Sequence, residues 1–215
     1  KFYPERFFKK GFPEHNERSV PEKTIAHLIK ELPAFPEHLQ LMYLILFCTG
    51  IRKSEVCTIK SGAFYSQGNE NWMRIYQSKM RREKVIPVPS LLVGLVNDYE
   101  KKYGIKNGEY LFKNKKGGAF NGQTFSNQMI RECKARGIAC GDYIFRAHDY
   151  RHNLATSMYG NGVSIQGVRD YLGHSSENMT KQYIDFMPER IVSAEDKYFS
   201  RNQSFKLKGV EDDER

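Results

Sequence analysis

The apolar run LMYLILFC, residues 41–48, most constrains what this chain can become. A helix that is apolar on every face has to be buried, and this one is far too short to cross a bilayer. It reads as a core helix, started by Pro36 and ended at Thr49-Gly50, where the glycine turns the chain at the helix C-terminus.

The remaining pattern is helical with one interruption. Ser19 to Glu22 reads as a capping box with Pro21 at an early helical position, opening a helix to about Leu32. From Gly62 the period falls to two: AFYS, WMRIYQ and KVIPVP are three short strands, separated by QGNEN and SKMRRE. Helical spacing returns from Ser90 to Tyr103, closed by Gly104, with Leu91, Leu92, Leu95 and Val96 as its core stripe. A further helix runs from about Thr124 to Arg136 and ends at Gly137. The predicted fold is mainly α with a small three-stranded antiparallel β-sheet, an α+β architecture.

Three segments divide the chain. Residues 1–18 mix aromatics, prolines and charges without a period and read as an arm or linker. Residues 19–187 hold the periodic elements, and 188–215 read as a C-terminal helix opened by Pro188 with an acidic tail, GVEDDER. The chain starts at Lys1 without a methionine, which is expected of a fragment of a longer protein.

Lys and Arg total 34 against 25 Asp and Glu, a formal charge of +9, and this favours a polyanionic partner. The basic residues cluster at Lys79, Arg81, Arg82 and Lys84, at Lys113, Lys115 and Lys116, and at Arg131, Lys134 and Arg136. Solvated faces explain the last two clusters equally well. Four cysteines, Cys48, Cys57, Cys133 and Cys140, show no paired metal spacing, and no secretory leader precedes them, so reduced thiols in a cytoplasmic protein are expected. No segment is apolar for long enough to span a membrane.

The chemistry-bearing residues gather between Phe145 and Phe186. His148 and Arg151 stand at i and i+3, one helix face, close enough to grip one small anion. After a turn at Gly160-Asn161-Gly162, the run VSIQGVRDYL ends in Leu172-Gly173-His174, which aims His174 from a turn. Tyr183 follows nine residues later in a short polar segment. Upstream, Arg52 and Glu55 repeat the i, i+3 spacing just after Gly50; such a pair is commonly a surface ion pair of small worth.

His148-Asp-Tyr-Arg151, Leu172-Gly173-His174 and Tyr183, preceded by Thr-Gly-Ile-Arg52-Lys-Ser-Glu55, together resemble the tyrosine recombinase (phage integrase) family. SKMRREKVIPVP is similar to that family's basic β-hairpin, in which a lysine near the start of the turn reaches the active site. The parts stand in family order and cover about Ser19 to Arg190. The resemblance implies a catalytic domain for site-specific DNA recombination, working through a 3′-phosphotyrosyl intermediate. Its catalytic residues would be Arg52, Lys79, His148, Arg151, His174 and Tyr183, with Glu55 in support and Arg81, Arg82 and Lys84 on DNA. Lys84 is the rival of Lys79 for the general acid.

The same resemblance implies double-stranded DNA as partner, self-assembly into a tetramer on it, and nucleoid association. The family's separate N-terminal core-binding domain finds no counterpart in this chain, and the segment after the tyrosine, Ile191 to Phe199 here, packs into a neighbouring protomer. Two arginines do the work a metal does elsewhere, so no cofactor is implied. Three other readings remain. A type IB topoisomerase-like strand transferase shares the chemistry, though the compact Leu-Gly-His to Tyr spacing favours a recombinase. A catalytically inactive DNA-binding protein would not need these positions intact. A metal site of His148, His152 and His174 would have the cation Arg151 directly beside His152.

Overall fold

The computed structural model describes residues 19–78, 80–141 and 143–173, without the side chain of Cys140. Its elements run α1 (Glu22–Glu31), a 3₁₀ turn (Leu32–Ala34), α2 (Glu37–Thr49), α3 (Lys53–Cys57), β1 (Phe64–Gln67), β2 (Glu70–Gln77), β3 (Arg82–Pro87), α4 (Ser90–Tyr103), α5 (Gly122–Ala135), a second 3₁₀ turn (Ile138–Gly141), α6 (Ala147–Gly160) and α7 (Ile165–Leu172). This is the mainly α fold with one antiparallel sheet, in strand order β1-β2-β3.

Helix α2 is the centre of the core. Leu39, Met42, Tyr43, Ile45 and Leu46 are fully buried, and α4, α5 and α6 all pack against it. Truncating any of these side chains to alanine would cost about 2–5 kcal/mol, a large part of a domain's stability. Below the N-terminal half of α6 the core is aromatic: the Tyr150 ring meets Tyr43 edge-on at 5.3 Å and lies 5.5 Å from Phe145. Beyond it, Ala155, Val168 and Leu172 form a second small core that holds α7 onto α6. The entry to the fold is pinned there too, since the Val20 N–H donates to Asn153 Oδ1 at 2.8 Å and Asn153 Nδ2 donates back to the Val20 carbonyl at 3.0 Å.

Several local expectations are corrected. No capping box opens α1: Pro21 is itself the N-cap, with ψ of 139°, and its carbonyl takes the N–H groups of Thr24 and Ile25. In α4 the inner face is Leu92, Val93 and Val96, while Leu91 is 73% exposed and Leu95 36%. The expected stripe was one residue out of phase on its outer edge. The hairpin is also longer than its apolar residues indicate, because Gln77 pairs with Arg82 and Tyr76 with Glu83, leaving only residues 78–81 in the turn. Charged residues in SKMRRE hid two rungs of ladder, since hydrogen bonds of the backbone do not require apolar side chains.

Cys57 and Cys133 are buried free thiols, each pushed up to about 12 by burial, and Cys48 is a half-buried free thiol. Among the described residues no helix is long and apolar enough to cross a membrane. The arm 1–18, Lys79, His174, Tyr183 and the tail from 188 lie outside the described residues.

Candidate active site

The site begins where α2 stops. Gly50 takes the left-handed conformation, φ 58°, and a Cβ there would stand 2.8 Å from Leu154 Cδ2 of α6. Glycine meets both demands, the positive φ and the close approach. Two residues on, Arg52 is the N-cap of α3. A guanidinium has no acceptor to offer the helix N-terminus, so Glu55 does the capping alone. Its Oε2 accepts the Arg52 backbone N–H at 2.8 Å and its Oε1 accepts Arg52 Nη1 at 2.8 Å. Glu55 is buried and Arg52 about one-fifth exposed, so the acid fixes both the main chain and the side chain of a cation that faces solvent.

Arg151 is held differently. It is 2% exposed, yet its Nη1 donates to the Gly50 carbonyl at 2.8 Å and its Nη2 to the Leu172 carbonyl at 2.5 Å. Those are the carbonyls at the ends of α2 and α7, groups that have no partner inside their own helices. One side chain on α6 therefore ties together the two turns that lead to Arg52 and to His174. The His148 ring stands one turn earlier, exposed, edge-on to the buried His152 at 5.3 Å.

Arg52, His148 and Arg151 line one open cleft of about 590 Å³, with Ser54, Ser126 and Arg146 around them. The first turn of α6, which carries His148, lies at its wall, so the positive end of the helix dipole adds to the two guanidiniums. The arrangement suits a phosphate with negative charge on more than one oxygen.

The hairpin supplies a third cation beside the arginines. Lys84 on β3 is half-buried, its Nζ 5.4 Å from the centre of the Tyr171 ring on α7. Burial first, and then the neighbouring charges of Arg151, Arg52 and Arg82, push its ammonium down to about 7, with Glu55 acting the other way. A fully solvated lysine would not show this; Arg81 in the turn and Arg82 at the start of β3 are exposed. Lys79, His174 and Tyr183 lie outside the described residues.

Sequence reasoning missed the two helix-end carbonyls, which carry no residue-type signal.

The model of the phage integrase family matches residues 18–190. Transposase B from transposon PsiTn554 of Staphylococcus aureus is 31% identical over 195 residues, covering 88% of this chain and 31% of its own length. Among solved structures, the XerH site-specific recombinase bound to its difH substrate superposes with a TM-score of 0.67 at 20% identity, covering 84% of this chain and 54% of that one. The catalytic domain of bacteriophage HP1 integrase gives 0.60 at 22% identity, covering 86% of this chain and 96% of that domain. The chain thus spans about a third of the transposase but nearly all of an isolated catalytic domain. With the family match running across Arg52, the α6 pair and the stretch that holds His174 and Tyr183, the chain belongs to the phage integrase family.

Proposed function

We propose that this chain is the strand-cleaving part of a site-specific DNA recombinase that breaks and rejoins DNA through a 3′-phosphotyrosyl intermediate. The observation that carries the reading is the convergence of Arg52, His148 and Arg151 on one cleft, held there by Glu55 and by two helix-end carbonyls. The name of the transposase relative and the fold shared with XerH support it.

The chemistry follows from charge. Attack at a phosphodiester passes through a phosphorane with extra negative charge on its non-bridging oxygens, and cations fixed before the reaction stabilise that state more than the ground state. Arg52 and Arg151 are such cations, and His174 would add a hydrogen bond. The Tyr183 oxygen attacks phosphorus, its proton passing to His148, and the bond to the 5′-oxygen breaks as Lys79 protonates it. A 5′-hydroxyl of a second strand reverses these steps and releases the tyrosine. Lys84 remains the rival donor, and its low proton affinity beside the arginines supports keeping it in view.

In this reading residues 1–18 are an arm, 19–187 the catalytic domain, and 188–215 a C-terminal helix and tail that joins protomers. Double-stranded DNA is the partner, with four protomers assembling on it; a solved lambda integrase is a tetramer bound to a Holliday junction. A DNA-clamping N-terminal domain would belong to the part of the protein outside this chain, and the site of action would be the cytoplasmic nucleoid.

The test is a nicked DNA carrying the ends of the element this protein serves, with the adduct read on a denaturing gel. Tyr183→Phe should abolish the adduct while DNA affinity stays within about twofold, because the lost hydroxyl is the nucleophile. An adduct that persists in the variant would remove Tyr183 from the reaction. Strand exchange between two sites, rather than relaxation alone, separates a recombinase from a topoisomerase-like transferase.

A further inference from the structure

Glu55, whose carboxylate holds Arg52 in the first cleft, also lines a second cleft of about 570 Å³. Its other walls are the end of α3, the segment from Lys60 to Ala63, strand β2 and Tyr110. The cleavage chemistry makes no use of this space. Along β2, Met73 and Ile75 point into the core, while Trp72, Arg74 and Tyr76 alternate outward, Trp72 half-buried, Arg74 exposed and Tyr76 55% exposed. Ring, guanidinium and ring thus follow one another at steps of about 6.8 Å, two residues of antiparallel strand. That step is close to the reach of one nucleotide in an extended, unstacked strand.

The cations of this cleft rest on rings. The Arg74 guanidinium lies 5.6 Å from the centre of the Tyr65 ring, and Lys60 Nζ lies 5.5 Å from that of Tyr110. An aromatic face steadies a cation without taking up its N–H donors, so both charges keep their donors for an anion. Of the acids in the walls, Glu55 is already neutralised by Arg52, and Glu83 stands opposite Tyr76 on β3. A phosphate is therefore favoured between Lys60 and Arg74 and disfavoured at the Tyr76 end, where the ring suits a neutral base. Bases inside a duplex have both faces covered by their neighbours; only an unpaired strand can lay a base on a protein ring.

We propose that the outer face of β2 is a platform for single-stranded DNA: an unpaired base stacks on Tyr76, its phosphate lies between Arg74 and Lys60, and the next base reaches Trp72. The platform adjoins the Arg52 site through Glu55, so it receives nucleotides that leave their duplex when a cleaved strand is passed to a second one. That role rests on the strand-cleavage reading, whereas the binding itself does not.

The probe is a fluorescein-labelled thymidine octamer, titrated against the full chain at low salt beside an abasic octamer and a duplex. Trp72 is the chain's single tryptophan, so its emission reports on the platform directly. The thymidine octamer should quench Trp72 and bind at least about fivefold more tightly than the abasic one, since a stacked base contributes about 5- to 150-fold. Tyr76→Ala should weaken the thymidine octamer by about 5- to 100-fold, and Tyr76→Leu, which keeps the bulk without the ring, should do the same. Tyr76→Phe should stay within about twofold of wild type, and all three should keep duplex affinity and adduct formation on nicked DNA within about twofold. Arg74→Ala should weaken both octamers and lower the salt slope by about 0.7, the share of one phosphate on a single strand. Strand exchange into a second duplex should slow in Tyr76→Ala although its adduct forms normally. Equal affinity for the two octamers overturns the platform, as does unchanged octamer binding by Tyr76→Ala and Tyr76→Leu. Loss of self-association in those variants with octamer binding intact gives the face to a second copy and overturns it as well. A chain that binds the octamer as described but forms no adduct sinks the cleavage reading and leaves the platform, and one that forms adduct without binding the octamer sinks the platform alone.

Discussion

Arg52 and Arg151 line the same cleft, yet they are built into it by opposite means. Arg52 stands at a helix start, one-fifth exposed, and its partner is a carboxylate three residues along. Arg151 is buried, and it donates to main-chain carbonyls 101 and 21 residues away in sequence. The first is a local device, closed within one helical turn. The second is a tertiary clasp, in which the guanidinium proposed to face the phosphate also closes the ends of α2 and α7. On the proposed reading Arg52 serves the reaction, and Arg151 serves both reaction and architecture.

Breaking the clasp should have the largest effect. Arg151→Ala leaves the Gly50 and Leu172 carbonyls buried without the donor, at about 1–3 kcal/mol each. The expected loss is about 2–6 kcal/mol of stability in a denaturant titration, together with loss of adduct formation. Arg151→Lys should recover little, because a single ammonium cannot fork to two separated carbonyls. An Arg151→Ala chain as stable as the parent would mean that the clasp contributes nothing to the fold. Arg52→Ala should show the reverse balance. The backbone cap from Arg52 N–H to Glu55 survives the change, but the buried Glu55 carboxylate loses its cation, so the stability cost should be about 1–3 kcal/mol, below that of the clasp. Adduct formation should fall by about 10²–10³-fold, the scale for removing one fixed donor from a developing oxyanion. If both variants lose stability equally, the contrast between a local and a tertiary arginine is wrong.

How much of this could be read beforehand follows from the same contrast. Arg52 and Glu55 were legible because their partnership is a spacing of three in sequence, and α2 was legible because its apolarity has no direction. His148 and Arg151 could be paired with each other by helical spacing, but nothing in the sequence pointed to Gly50 or Leu172 as acceptors, since every residue carries a carbonyl. The phase of α4 was misjudged because Leu91 and Leu95 are apolar and yet exposed, and exposed leucines are ordinary. The hairpin was read short because charged residues continue a ladder as well as apolar ones. The sequence offers Lys84 both as a solvated cation like Arg81 and Arg82 and as the rival of Lys79; only the tertiary approach of α7 and both arginines separates it from Arg81 and Arg82.

The smallest expected effect sharpens the comparison, because Lys84 feels both arginines at once. Its ammonium is held near 7 in the folded, DNA-free chain against an ordinary 10.5. The folded value is the lower one, so between about pH 7 and 10.5 the unfolded chain binds more protons and stability should rise with pH across that window. Below pH 7 the lysine is charged in both states and its burial penalty is fully present. Lys84→Met should flatten this rise. DNA reverses the balance, since phosphates entering the cleft neutralise the field of Arg52 and Arg151 and favour the ammonium. Binding at pH 8 should therefore take up a fraction approaching one proton per chain, and at pH 6 much less. Calorimetric titrations in buffers of different ionisation enthalpy measure that uptake directly. Lys84→Met should remove the pH 8 uptake, whereas Arg82→Ala, at the exposed start of β3, should leave most of it. An uptake at pH 8 that persists in Lys84→Met would place the titrating group elsewhere and return Lys84 to the solvated cations of the hairpin.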